Sequence, residues 1–282
     1  MTGFINIDKP TGVSSARAVA AVRRKFSTPC GHMGTLDPMA TGVLPVGIGK
    51  TSRLFPYLLD KKKVYKAVFT FGYSTDTLDA TGKTESVTSY IPTENDIKSV
   101  LGNFVGEIDQ VPPNYSSKCV DGKRGYQLAR RGVFFELPPK KVVIESISLN
   151  ERLSLNEFAF EISCKGGTYI RSLARDIAKS VGSLAVMSKL TRAESGKFNL
   201  GNSVGLEEFE DCSDPEKYVI PADFALDFEK LFLEEKDAKK ILDGVYEDLG
   251  FKDGTYRVYN GDKFWGVGES SGGKLRIKAY VR

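Results

Sequence analysis

Two alternating apolar runs, VVIESISLNERL at 142–153 and NEFAFEISC at 156–164, stand next to each other in the chain, and a helical pattern comes directly after them. This juxtaposition constrains the fold more than any other feature. Neighbours separated by only a short turn can pair antiparallel, whereas parallel pairing needs a long crossover. A third run, VYKAVFTFGY at 64–73, alternates in the same way and leads into the polar loop STDTLDATGK. The opening GFINIDKPTGVSS reads as a short strand ended by Lys9-Pro10 and a Thr-Gly turn, with Ser14 or Ser15 able to cap a helix after it. Residues 16–26 place Val19, Val22 and Phe26 at helical spacing, with Arg17 and Arg24 on the other side. Residues 28–50 form a Gly- and Pro-rich loop feeding a buried strand at Val43 to Ile48. Short helices are expected at 95–102 and at 124–131, the latter stopped by Gly132, and Thr168 is expected to cap a helix carrying Ile170, Leu173, Ala174 and Ile177. Helices mixed with consecutive strands indicate an α/β protein of the α+β kind, with a mixed, mostly antiparallel sheet flanked by helices.

The texture changes near residue 230. Leu231 to Leu242 is helix-like, and YRVY, KFWGVGE and LRIKAYV come next as short strands separated by Asn260-Gly261 and Ser-Ser-Gly-Gly turns. Length supports this division, since 282 residues accommodate one catalytic domain of about 200 to 230 residues and a small appended module. The expected domains are 1–229 and 230–282. No apolar run approaches the roughly 20 residues needed to cross a bilayer. MTGFINIDKP lacks a signal-peptide pattern, so a cytoplasmic location is expected, with no membrane partner.

Cysteines at 30, 119, 164 and 212 are widely spaced, and His32 is the single histidine. Neither a zinc site nor a disulfide framework is supported, and no metal or cofactor is expected. Acid and base chemistry must come mainly from carboxylates, Tyr or Lys. The net charge of +4 is too small to establish a nucleic-acid partner, but its distribution is uneven. Cations gather at Arg23, Arg24 and Lys25, at Lys61 to Lys63, at Lys123, Arg124, Arg130 and Arg131, and at Lys189 and Arg192. Each cluster can be a phosphate-contacting patch or simply a solvated helix face.

GHMGTLDPMATG, residues 31–42, sets a carboxylate between Leu36 and Pro38 in a glycine-rich loop. Gly31, Gly34 and Gly42 let the backbone take positive φ and let a bulky ligand approach, and Pro38 stiffens the chain beside Asp37. By itself the segment reads as an Asp-Pro turn. GIGKTS at 47–52 ends like a phosphate-binding loop, but position 44 is Leu where that motif needs Gly, so no nucleotide site is expected.

GHMGTLDPMATGVLPVGIGK closely resembles the catalytic motif of the TruB family of pseudouridine synthases. Five further blocks are similar to the family in the same order: GFINIDKPTGVSS, KVYKAVFTFGYSTDTLDATG, VPPNYSSKCVDGKRGYQLARRG, GGTYIRSLARDIA and KLTRAESGKF. Together they span residues 3–198. The resemblance implies a pseudouridine synthase fold and a stand-alone enzyme that isomerises uridine 55 in the T arm of tRNA by base flipping. It implies that Asp37 acts as nucleophile, or as the carboxylate that stabilises an oxocarbenium-like or glycal intermediate. Tyr65 matches a tyrosine that stacks on the target uracil and moves a proton, although a strand aromatic is otherwise a core residue. Arg171 matches the arginine paired with the catalytic carboxylate, Tyr169 a substrate-contacting tyrosine, and Leu190 an apolar contact to the target nucleotide. His32 matches a ring that fills space in the tRNA loop after bases flip out, with a packing role as the alternative.

Lys123, Arg124, Arg130, Arg131 and Arg192 are then RNA-backbone contacts, and the T stem-loop of tRNA is the partner of a monomer that requires no second protein. Ser117, Lys118 and Cys119 depart from the family's usual Ala, apolar residue and Lys. The tail resembles the small PUA-like RNA-binding domain of bacterial members by composition. Two other readings remain: a guide-RNA-dependent relative, and an RNA-folding protein that binds tRNA elbows with isomerisation secondary or lost. Activity of the isolated chain on a bare T stem-loop counts against the first, and an intact Asp37 and Arg171 argue against loss of isomerisation in the second.

Overall fold

A computed structural model of the chain describes residues 1–116, 119–120, 123–124, 135, 137–242 and 248–281, with the side chains of residues 119, 120, 123, 124, 242, 248 and 249 also outside the description. The chain divides into two units. One comprises Met1–Pro38, Gly42–Lys61 and Ser195–Arg282; the other comprises Met39–Thr41 and Lys62–Glu194.

In the second unit the two adjacent alternating runs pair antiparallel as Lys140–Arg152 and Glu157–Cys164, joined by the short turn expected of them. Glu157–Cys164 also pairs antiparallel with Lys63–Phe71, and Lys140–Arg152 with Gly106–Gln110. The strand Ala185–Ser195 lies on the far side of Lys63–Phe71. Alternation explains the packing: Phe69, Phe71, Phe158 and Phe160 point to one interior, where Phe69 and Phe160 lie 4.5 Å apart between ring centroids and Phe71 meets Phe158 edge-on at 5.4 Å. Each such ring removed from water stabilises the fold by about 1.5–3 kcal/mol. The helix Ile170–Ser180 buries Ile170, Leu173, Ala174 and Ile177 as the spacing predicts, and it packs against Lys63–Phe71. The helix Glu94–Leu101 starts with a capping box in which Thr93 and Asp96 satisfy each other's backbone N–H groups.

In the first unit Gly3–Lys9 pairs antiparallel with Thr41–Ile48 and parallel with Val204–Gly205. Cys30–His32 pairs with the same central strand. Ser14 caps the helix Ser15–Phe26, accepting the Arg17 N–H. A separate sheet runs Glu229–Leu233, Gly254–Asn260, Lys263–Ser271, Gly273–Tyr280, Asp248–Phe251 in spatial order. Its Val267 and Ala279, with Val281 just past the strand Gly273–Tyr280, join Phe4, Val43, Leu54, Phe198 and Leu226 in one buried cluster.

Two local expectations change, and a third lies almost wholly outside the described residues. Leu231 to Leu242 is not one helix: Glu229–Leu233 is a strand in which Leu231 and Leu233 are buried while Phe232 faces out, and only Glu235–Leu242 is helical. Thr168 does not cap the helix after it, because its hydroxyl donates to the Lys165 carbonyl; Tyr169 occupies the cap position without a side-chain cap bond. The helix expected at 124–131 falls outside the described residues except for Arg124, which with Lys123 forms a two-residue strand paired with Cys119–Val120.

Candidate active site

Asp37 sits half-buried in a loop whose peptide neighbours are both held by the segment that ends the first strand and begins the first helix. On one side, the Ser15 hydroxyl donates to the Leu36 carbonyl and accepts the Leu36 N–H, both at 2.9 Å. On the other, the Pro38 carbonyl accepts the Gly12 N–H at 2.8 Å and the Lys9 ammonium at 3.3 Å. Lys9 is fully buried and its ammonium also donates to the carbonyls of Pro10 and Val13. Carbonyl acceptors are what make such a position tolerable for a charge removed from water. Gly34 and Gly42 flank Asp37 with φ of 99° and 98°, values that a side chain disfavours. Gly31 is extended instead; it lies opposite Gly47, and an added Cβ would meet the Phe55 ring at 3.3 Å. His32 ends the strand Cys30–His32, opposite Val46 and half-buried.

In the other unit Tyr65 lies on Lys63–Phe71 opposite Ile162 and is 7% exposed. Tyr169 is fixed through its backbone: its N–H donates to the Gln110 side-chain oxygen at 2.8 Å, and its carbonyl accepts from the Gln110 amide nitrogen at 3.2 Å. Two residues later Arg171, 6% exposed, donates to the carbonyls of Thr77 and Tyr115. Its guanidinium lies 3.8 Å from the carboxylate of Asp79, itself buried. The Asp79 Oδ1 accepts from the Thr77 hydroxyl, the Thr81 hydroxyl and the Thr81 N–H. Asp79 therefore organises the loop that supplies Arg171 with the Thr77 carbonyl. Leu78 between them holds φ at 61°, a left-handed conformation whose cost, about 1–3 kcal/mol, these contacts must offset. Leu190 is buried on Ala185–Ser195, where the neighbouring Thr191 hydroxyl meets that of Thr41 at 2.8 Å.

Sequence reasoning singles out Asp37, Tyr65, Tyr169, Arg171 and Leu190 but passes over Asp79, Gln110, Ser15 and Lys9 as supporting groups. The Thr-Leu-Asp-Ala-Thr pattern carries a usable signal, because Asp with an N–H donor two residues later is a typical side-chain-closed turn. Gln110 leaves no local trace. Among the basic residues, Arg130 and Arg131 lie outside the described residues, as do the side chains of Lys123 and Arg124. Lys189 is exposed, whereas Arg192 is 1% exposed and so offers little surface to a passing phosphate. No group of three or more His, Cys, Asp or Glu that could hold a metal ion occurs among the described residues.

Comparison with known proteins identifies relatives that span the whole chain. The family model described as TruB family pseudouridylate synthase, N-terminal domain, matches residues 23–170. A tRNA pseudouridine synthase B from Clostridium kluyveri is 39% identical over the full length of both chains. One of the same description from Aquifex aeolicus is 38% identical over 99% of both. Among solved structures, an H/ACA ribonucleoprotein bound to a substrate RNA containing 2'-deoxyuridine has a chain with TM-score 0.73 and 22% identity, covering 99% of this chain and 85% of that one. A Cbf5-Nop10-Gar1 complex has one with TM-score 0.71 and 24% identity, covering 98% and 79%. These two likenesses show the shared pseudouridine synthase fold. On the full-length identities and the matched family model, the chain belongs to the TruB family of pseudouridylate synthases.

Proposed function

We propose that this chain is a stand-alone tRNA pseudouridine synthase that isomerises uridine 55 of the T arm, with Asp37 as its catalytic carboxylate. The observation that carries this reading is end-to-end identity of 38–39% with proteins described as tRNA pseudouridine synthase B, in a chain that keeps an aspartate in a fixed, glycine-flanked loop.

The reaction breaks the bond between C1' and N1 of uridine, turns the uracil and joins C1' to C5. The C5 proton is lost and N1 gains one, so atoms and charge balance without an external oxidant or reductant. Asp37 either bonds to C1' as N1 departs or stabilises the cationic sugar, roles for which a preorganised carboxylate suffices. Tyr65 stacks on the flipped uracil and moves a proton, Tyr169 and Leu190 contact the target nucleotide, Arg171 keeps the carboxylate ionised, and His32 fills the space left in the RNA loop. Lys123, Arg124, Arg130 and Arg131 contact the RNA backbone. Residues 230–282 serve as a PUA-like RNA-binding module after a catalytic domain at 1–229. The protein works as a monomer in the cytoplasm.

The test uses an unmodified T stem-loop carrying tritium at uracil C5, from which joining through C5 releases the label. The purified chain is expected to release tritium, and Asp37→Asn is expected to abolish release while leaving RNA affinity within about twofold, since shape is kept and one carboxylate oxygen is lost. Release by Asp37→Asn near the wild-type rate would remove Asp37 from the role. No release by folded, RNA-binding wild-type protein would favour an RNA-folding protein.

A further inference from the structure

Ser15 opens the helix Ser15–Phe26 and is 3% exposed. Serine at a helix start is ordinarily explained by capping, but here Ser14 accepts the Arg17 N–H at 3.2 Å and fills that role. The Ser15 hydroxyl instead reaches across 21 residues of sequence to close on both backbone polar groups of Leu36, donating to its carbonyl and accepting its N–H. Leu36 is the residue before Asp37, and its own side chain is 3% exposed. The Gly12 N–H and the Lys9 ammonium fix the carbonyl of Pro38 on the other side. The backbone on either side of Asp37 is therefore tied to residues 9–15.

We propose that Ser15 is a positioning residue for the reaction: its paired hydrogen bonds to Leu36 set the backbone from which the Asp37 carboxylate projects. The proposal rests on the reading of Asp37 as the catalytic carboxylate. Ser15 touches no reacting atom. Without its hydroxyl the buried N–H and carbonyl of Leu36 lose their shared partner, and the peptide carrying Asp37 can rotate toward other acceptors. A carboxylate displaced by a fraction of an ångström loses alignment with C1', which weakens the chemical step far more than RNA binding.

Single-turnover rates, RNA dissociation constants and melting temperatures of Ser15→Ala, Ser15→Cys, Ser15→Thr, Ser14→Ala and Asp37→Asn separate the possibilities, with rates taken well below the melting range. Ser15→Ala and the nearly isosteric Ser15→Cys are expected to slow the single turnover by about tenfold to a hundredfold, with RNA affinity within about twofold of wild type. Ser15→Thr, which keeps the hydroxyl, is expected to recover most of the rate. Ser14→Ala removes the helix cap and is expected to lower the melting temperature with the rate unchanged. The proposal is overturned if Ser15→Ala and Ser15→Cys turn over within about threefold of wild type while Asp37→Asn is inactive. It is equally overturned if Ser14→Ala loses as much rate as Ser15→Ala, since a general weakening of the helix would then account for both. Turnover by Asp37→Asn itself would instead bring down the reading of Asp37, and the proposal with it.

Discussion

Asp79 illustrates how much one buried carboxylate can organise. It accepts from two threonine hydroxyls and a backbone N–H, and it lies 3.8 Å from the Arg171 guanidinium. Asp79→Ala is expected to cost about 3–5 kcal/mol in denaturant unfolding, the usual range for removing one side of a buried ion pair. Thr81→Val, which removes one donor to a carboxylate that keeps others, is expected to cost about 1 kcal/mol. Tyr65→Phe is expected to keep RNA affinity and lose most of the rate; an unchanged single-turnover rate would limit Tyr65 to stacking. Burial pushes the Cys164 thiol up to about 11 from an ordinary 9.0. The folded chain thus holds this proton where the unfolded chain releases it, so the contribution is complete below pH 9 and is lost as pH rises toward 11. Cys164→Ala should flatten the fall in unfolding free energy over that interval, and a fall of unchanged steepness would assign it to other groups. Asp37 stands out in the sequence as a candidate because a long ordered motif surrounds it. Thr-Leu-Asp-Ala-Thr signals the turn at Asp79 but not its burial, because a Thr- and Asp-rich stretch has the same composition whether it is a solvated loop or a buried anchor.

Elements whose register depends on neighbouring residues were the most readable. The hairpin Lys140–Arg152 with Glu157–Cys164 and the buried face of Ile170–Ser180 arise from periods of two and of 3.6. Leu231 to Leu233 failed as helix because three residues fit both periods, and pairing with Gly254–Asn260, distant in sequence, decides between them. The first helix shows how charge ties elements together: Arg17 and Arg24 both bond to Glu210 of the helix Leu206–Asp211. The hydrogen bond from Arg17 is the main reason that the Glu210 carboxyl is held below its ordinary 4.5. A carboxyl so depressed stabilises the fold above pH 4.5 and loses that contribution as pH falls. Glu210→Gln is expected to lower the melting temperature slightly at pH 7 and to match wild type in strong acid; curves that stay apart there would mean that the residue acts through packing. The effect is small because both arginines are largely solvated.

For the whole molecule, RNA binding through the basic residues is expected to weaken steeply with salt. Replacing Lys123, Arg124, Arg130 or Arg131 with Gln should lower the slope of log affinity against log salt by about 1 for each phosphate that is no longer neutralised. An unchanged slope would exclude that residue from the interface. Deleting residues 230–282 strips Val267, Ala279 and Val281 from the cluster around Phe4, so the remainder is expected to melt earlier as well as bind RNA less tightly. A melting point equal to wild type would show that the cluster closes without them. The sequence pointed to a compositional boundary near residue 230 but contained no sign of this shared interior, which joins residues more than 270 positions apart. That cluster also has a consequence in time. Phe4 is synthesised long before Val281, so during synthesis the opening strand waits with part of its core missing until the later residues emerge to complete the cluster.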